Sequence, residues 1–172
     1  MVTKMATTPN VNLSKSYLGT AGELRAASEL SLRGYVAHIP TVDEGADLWA
    51  VDHKSGTGRR LQIKTAAQPD FSKLTGFINF QISIEINLLK DPNIHIVIYL
   101  YVFGEWQCYV LTSTQLMGLR GKSTSSNIPL VLHCDGDVTV GRKKGKSINS
   151  YRDAWNTDFP PLQNTSAMSY AT

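Results

Sequence analysis

Cysteines and long apolar segments are scarce in this sequence, and both absences limit what it can be. Its 172 residues include two cysteines, Cys108 and Cys134, without CxxC or Cys/His ligand spacing, so we expect buried thiols rather than a disulfide or a zinc site. No apolar run approaches the roughly 18 residues that cross a bilayer, and residues 1–14 lack the apolar stretch of a secretory signal. The sequence therefore predicts a cytoplasmic protein without a membrane partner.

Internal repeats and coiled-coil heptads are also absent, and the composition is that of a globular chain. With 42% hydrophobic and 18% charged residues, a chain of this length can form one buried core. Both ends of the chain are polar and show no apolar period, which is typical of loosely ordered tails. We therefore predict one domain over residues 15–159, between flexible tails at 1–14 and 160–172.

Positive charge is only slightly in excess, but it is concentrated in one segment. Seventeen basic and fourteen acidic side chains give a formal charge of +3. All of this excess lies between residues 120 and 152, where the turn GRKKGK contributes Arg142, Lys143, Lys144 and Lys146. Clustered cations release counterions when they meet DNA phosphates, which makes the turn a candidate DNA-binding segment. A solvated hairpin tip explains the same residues equally well.

Apolar periodicity predicts a succession of helices and strands. Residues 16–33 repeat apolar side chains every three positions and are followed by Gly34, as expected for an amphipathic helix and its end. Short apolar runs predict strands at 35–39, 46–52, 60–66, 76–83, 95–103 and 106–111, two more strands between 128 and 140, and helices at 84–90, 113–120 and 150–155. This order predicts an α/β fold in which a mixed sheet is flanked by helices.

Residues with catalytic chemistry cluster around the predicted hairpin of residues 46–66. Asp47 begins its first strand, and Gln62 and Lys64 share one face of the second, because side chains two apart in a strand point the same way. Phosphodiester hydrolysis needs a divalent cation that activates water and a positive group near the reacting oxygens. Carboxylate and amide oxygens suit Mg²⁺, and Lys64 supplies the positive group. The hairpin therefore predicts a metal-assisted hydrolytic site.

Three segments carry a family resemblance: GTAGELRAASELSLRGY, DEGADLWAVD and RRLQIKTA. Together they resemble the PD-(D/E)XK phosphodiesterase superfamily, and the QxK form of the third segment is similar to Mrr-type restriction endonucleases. The resemblance implies a restriction-endonuclease-like fold and a DNA endonuclease that uses Mg²⁺ or Mn²⁺. It implies that Glu23 and Asp47 are metal carboxylates, that Gln62 and the Ile63 carbonyl are neutral metal ligands, and that Lys64 is the catalytic cation.

Two positions depart from the superfamily pattern. Ala46 stands where a proline usually precedes the metal aspartate, and Gln62 replaces the commoner carboxylate. A neutral amide attracts Mg²⁺ less than a carboxylate does. The alternative function is therefore a nuclease-fold domain with weak or no activity that binds nucleic acid or a protein partner. Cleavage of both DNA strands would require a homodimer, and a subunit of a larger restriction or transposition assembly is a further alternative.

Each site residue also has a structural explanation. Residues Thr20 to Glu23 fit a capping box, in which the Glu23 side chain would accept a hydrogen bond from the backbone amide of Thr20 at a helix start. Gln62 and Lys64 could form the solvated face of a hairpin. Asp47 could be a surface residue, although aspartate is depleted in strands. The specific signal is the combination of a helix glutamate, an aspartate and QxK across a glycine turn.

Other polar and aromatic residues receive a structural interpretation. Asp43 and Glu44 are expected in a solvated loop. The histidines lack ligand spacing and are expected to be structural or surface residues; they are His38, His53, His95 and His133. Trp106 and Tyr109 lie in apolar strand surroundings, which favours a place in the core over a base-stacking role.

Overall fold

A computed structural model describes residues 15–41, 45–68, 77–102, 104–121, 123, 125–141 and 145–162. The elements in chain order are α1 (Lys15–Leu32), β1 (Tyr35–His38), β2 (Leu48–Asp52), β3 (Gly58–Gln68), β4 (Phe77–Ser83), α2 (Ile86–Lys90), β5 (Ile94–Val102), β6 (Glu105–Thr112), α3 (Ser113–Arg120), β7 (Asn127–His133), β8 (Val138–Val140), β9 (Lys146–Ser147), a 3-10 turn (Asn149–Tyr151) and α4 (Trp155–Asp158). Among these helices, none has the length and apolar character needed to cross a membrane.

A five-stranded sheet in the order β1-β2-β3-β5-β6 forms the centre of the fold. Strands β3 and β5 run parallel, and the other neighbouring pairs are antiparallel. The parallel pair requires a crossover connection, which contains β4 and α2. Eight of the nine residues in β5 are buried, and burial on both faces explains why IHIVIYLYV is almost continuously apolar.

Two cores lie on opposite faces of this sheet. Val97 and Tyr99 of β5 pack with Ala26 and Leu30 of α1 and with the α4 region. Ile96 and its alternate neighbours in β5 pack instead with α2, α3 and a second sheet, in the order β4-β7-β8-β9. The expected α/β class, a mixed sheet flanked by helices, is confirmed. The separate second sheet was not predicted.

The start of α1 and the environment of one cysteine differ from the predictions. Helix α1 begins at Lys15, so Thr20 lies inside it and the capping box at Thr20 is wrong. A capping box does begin α3, where the Thr112 hydroxyl accepts a hydrogen bond from the Gln115 backbone amide at 3.2 Å. Cys108 is buried as expected, but Cys134 is exposed, because it lies in the turn between β7 and β8.

The C-terminal part of the described chain also differs from the prediction. In place of one helix at 150–155, the chain forms the 3-10 turn and the separate helix α4. Residues 160–162, assigned to the tail, pack against the start of β1: the Leu162 amide donates to the Arg33 carbonyl at 2.8 Å, and Tyr35 donates to the Pro160 carbonyl at 3.2 Å. Residues 1–14 and 163–172 of the expected tails lie outside the described residues.

Candidate active site

Asp47 and Gln62 are direct neighbours across the β2–β3 hairpin. The register pairs Leu48 with Leu61, and the Asp47 amide donates to the Leu61 carbonyl at 2.8 Å, which extends the pairing by one position. Asp47 Oδ2 accepts hydrogen bonds from Gln62 Nε2 and, at 2.6 Å, from the Ile63 amide. These bonds fix the carboxylate against β3. Since Nε2 faces Asp47, the amide oxygen is the Gln62 atom that can coordinate a cation.

Lys64 lies on the same face of β3 as Gln62. The parallel register places Gln62 beside Ile96 and Lys64 beside Ile98, and both isoleucines belong to the core beneath the second sheet. Gln62 is 5% exposed and Lys64 is half-buried. The solvated-hairpin explanation is therefore wrong for Gln62, since a buried amide is costly unless its polar atoms have partners.

Glu23 joins this cluster from helix α1. Its pKa is raised, first because the carboxyl is partly buried and next because the Asp47 carboxylate lies nearby, while Lys64 opposes the rise. A charge acts on a pKa in this way only over short distances. The structure thus brings Glu23, Asp47, Gln62 and Lys64 together from three elements, with the Ile63 backbone between the last two.

Two glycines outside the predicted site position its acidic residues. Gly22 lies where α1 meets β3, and a Cβ at this position would overlap the Thr65 hydroxyl. Gly45 precedes Asp47, adopts φ +77°, and lies against Leu88 of α2. The sequence held a signal for Gly22, because a glycine inside a helix costs about 1 kcal/mol relative to alanine and usually has a packing reason.

The donor atoms fit a hard divalent cation. Within the described segments, no three His, Cys, Asp or Glu side chains lie close enough together to hold a metal ion. Glu23 and Asp47 supply two carboxylates, and the remaining protein donors are the Gln62 amide and backbone carbonyls. Mg²⁺ takes one or two carboxylates and keeps several waters, so this donor set suits it. Asp43 and Glu44 lie outside the described residues.

The basic turn belongs to a different part of the fold. Arg142, Lys143 and Lys144 lie outside the described residues. Lys146 is exposed in β9 of the second sheet, and its ammonium donates to the Gly118 carbonyl at 2.9 Å. The described part of the turn is thus held at the end of α3, and it is not part of the Asp47 cluster.

The chain matches no protein-family model and no curated protein. Among solved structures it is similar to the bacterial homing endonuclease I-Ssp6803I, with 17% identity and a TM-score of 0.53 over 86% of this chain and 94% of that one. A Holliday junction resolvase, Hjc of Archaeoglobus fulgidus, shows 14% identity and a TM-score of 0.40 over 64% and 81% of the two chains. The first likeness shows a shared fold across most of both chains; the second is too distant to add to it.

Proposed function

We propose that this protein is a metal-dependent DNA endonuclease that hydrolyses phosphodiester bonds with Mg²⁺ or Mn²⁺. The main support is the cross-strand pair of Asp47 and Gln62, with Lys64 on the same face. Glu23 lies close enough for the charges of Asp47 and Lys64 to affect its pKa. The fold shared with a homing endonuclease supports DNA as the substrate. Fold alone does not fix an activity, so the proposal depends on the site.

Each residue has a distinct role in the proposed reaction. Glu23, Asp47, the Gln62 amide oxygen and the Ile63 carbonyl would hold the cation, which offsets phosphate charge and makes a water nucleophilic at neutral pH. Asp47 is held ready by its hydrogen bonds to β3, so little reorganisation is needed when the cation binds. Lys64 places its ammonium beside the phosphate and stabilises the negative charge that develops on its oxygens.

The neutral Gln62 has an electrostatic consequence. Burial first and the Asp47 carboxylate next raise the pKa of Glu23, so a second carboxylate already opposes ionisation in this site. An amide at position 62 supplies an oxygen without a third negative charge, which limits repulsion in the metal-free protein. The same choice lowers the attraction for a cation. We therefore expect a metal affinity below that of a site with three carboxylates.

DNA contact away from the site is part of the same proposal. Arg142, Lys143, Lys144 and Lys146 would meet phosphates and position the duplex without reading its bases. One active site cuts one strand, so a double-strand break would require a homodimer or a larger restriction or transposition assembly.

The test measures cleavage of supercoiled, linear and branched DNA with Mg²⁺, with Mn²⁺ or with a chelator. Lys64→Ala and Asp47→Asn should each lower the cleavage rate by about 100- to 1,000-fold, the usual effect of removing one electrostatic catalytic group. The exposed residues Lys90 and Asp135 provide matched controls, since Lys90→Ala and Asp135→Asn remove the same charges elsewhere. Circular dichroism should show that all four variants fold.

Two results would contradict the proposal. Cleavage that persists with the chelator would exclude a metal-dependent reaction. Cleavage by Lys64→Ala at the rate of the wild-type protein would remove the assigned catalytic cation. DNA binding without cleavage under any metal would support the binding-module alternative, for which the neutral Gln62 is the structural reason.

A further inference from the structure

Trp49 is an exposed aromatic residue on the catalytic face of the central sheet. It follows Asp47 by two positions, and side chains two apart along an extended chain point to the same face. Two residues of a strand span about 7 Å, so Trp49 lies roughly one nucleotide away from the proposed metal site. The Trp49 residue is 37% exposed. Core packing therefore leaves a substantial part of a large apolar side chain in solvent.

A histidine and an arginine flank Trp49 on the two neighbouring strands. The register places His38 of β1 on one side of Trp49 and Arg60 of β3 on the other. Directly cross-strand side chains lie within about 5 Å at their Cβ atoms. Arg60 is held on this face by an ion pair with Asp91. The row of His38, Trp49 and Arg60 thus runs beside the Asp47–Gln62 pair.

This arrangement favours nucleic acid over a second copy of the chain as the occupant. Protein interfaces are depleted of charge at their centres, whereas Trp49 lies beside the charged Arg60 and next to the acidic site. A protein chain laid over Trp49 would also cover Asp47, the next residue on the same face, and block the substrate. Exposed Val36, two positions before His38 in β1, widens the apolar area only toward β1.

We propose that Trp49 stacks on a base next to the scissile phosphate, so that the preferred substrate is DNA with an unpaired nucleotide at the cleavage position. This inference rests on the proposed nuclease function. In a continuous duplex both faces of each base are covered by neighbouring bases, and only an unstacked base offers a face to Trp49. Proteins that bind single strands combine aromatic platforms with cations that track the backbone, and Arg60 and Lys64 provide such cations here.

The experiment measures binding with a chelator present, so that metal-dependent cleavage does not interfere. Fluorescence anisotropy would compare a fully paired duplex, the same duplex with one bulged nucleotide, and a single strand. Loss of one stacked base weakens binding by about 5- to 150-fold. Trp49→Ala should show a loss in that range for the bulged and single-stranded probes and none for the duplex. Trp49→Phe should retain most of the affinity, because phenylalanine keeps an aromatic face.

Phe77→Ala is the matched control, because Phe77 is 50% exposed on β4 of the second sheet, whereas Trp49 lies on the central sheet. Equal losses for all three probes, or no loss for any, would overturn the stacking role. If the wild-type protein forms an oligomer and the Trp49→Ala protein does not, Trp49 belongs instead to an interface between copies of the chain. Wild-type protein that cuts duplex DNA with Mg²⁺ but shows no preference for unpaired probes would overturn this inference alone. Failure to bind any probe would overturn the nuclease proposal as well.

Discussion

Gly22→Ala is the substitution that most directly tests how helix α1 delivers Glu23 to the site. A Cβ at position 22 would overlap Thr65 Oγ1 and would lie 3.3 Å from Thr65 Cβ and 3.4 Å from Ile63 Cγ2. Contacts shorter than 3.0 Å essentially never occur for real Cβ atoms. Helix and strand must therefore separate by about 1 Å unless Thr65 rotates. Glu23 is the next residue, so it moves with the helix.

The expected loss of activity is large while the loss of stability is small. A misplacement of about 1 Å in a catalytic group can cost about 100-fold in rate. Overpacking lowers the free energy of unfolding by about 1–3 kcal/mol, but replacing a helical glycine by alanine raises it by about 1 kcal/mol. The variant should therefore lose up to about 2 kcal/mol of unfolding free energy and about two orders of magnitude in cleavage. Denaturant unfolding and single-turnover cleavage measure the two quantities.

Gly19→Ala and Thr65→Ala make the test specific. Gly19 lies one turn earlier in α1, and a Cβ added there would meet no atom within 4 Å, so Gly19→Ala should be stabilising and fully active. Thr65 Oγ1 is buried without a hydrogen-bond partner in the described part of the chain, so Thr65→Ala should be tolerated. It should also restore activity to Gly22→Ala. Full activity of Gly22→Ala alone, or failure of Thr65→Ala to rescue it, would refute the positioning role.

Two further predictions concern salt and pH. Changing Arg142, Lys143, Lys144 and Lys146 to alanine should flatten the slope of log DNA affinity against log salt concentration by about two to four units for every duplex. Equal slopes for the wild type and the variant would show that the turn is only solvated. Burial lowers the pKa of His95. The Asp158 carboxylate, whose Oδ1 lies 3.6 Å from His95 Nε2, raises that pKa, and the Arg59 charge lowers it further. The folded state thus disfavours the charged form, so thermal stability should fall as pH drops below about 6.5, and His95→Gln should remove that dependence.

Local pattern predicted much of the site because its residues are close in sequence. Gln62 and Lys64 share a face through strand alternation, and Asp47 meets Gln62 because a hairpin pairs nearby residues. The burial of Gln62 was not predictable in the same way, since it depends on the second sheet lying over that face. Polar alternation alone resembles a solvated hairpin, so the sequence left that alternative open.

The second sheet was missed because pairing between distant strands leaves no local pattern. Strand β4 alternates exposed and buried residues in the same way as any half-buried strand. Its partner is β7, with Phe80 opposite Leu130 and Ile82 opposite Ile128. Side-chain alternation identifies the buried face but not the element that covers it. The close approach at Gly22 was missed for a related reason, since the contact is with Thr65 of another element.

A change of charge at position 62 provides the sharpest test of the proposed metal site. Gln62→Glu would replace the hydrogen bond from Nε2 to Asp47 with the approach of two carboxylates. Loss of a buried hydrogen bond costs about 1–3 kcal/mol, so the metal-free variant should be less stable at neutral pH and should recover stability as pH falls and the carboxyls take up protons. The pKa of Glu23, already raised by burial and by Asp47, should rise further.

Bound Mg²⁺ should reverse this loss of stability in Gln62→Glu, because a third carboxylate strengthens cation binding. We expect Gln62→Glu to raise Mg²⁺ affinity by about tenfold or more, the effect of roughly 1.4 kcal/mol, and to gain more thermal stability from added Mg²⁺ than the wild type does. Gln81→Glu is the control, since Gln81 is exposed on β4 of the second sheet. Calorimetry of both variants decides the matter. If Gln62→Glu weakens the metal-free protein without improving Mg²⁺ binding, Gln62 only orients Asp47 and the cation must be held without it.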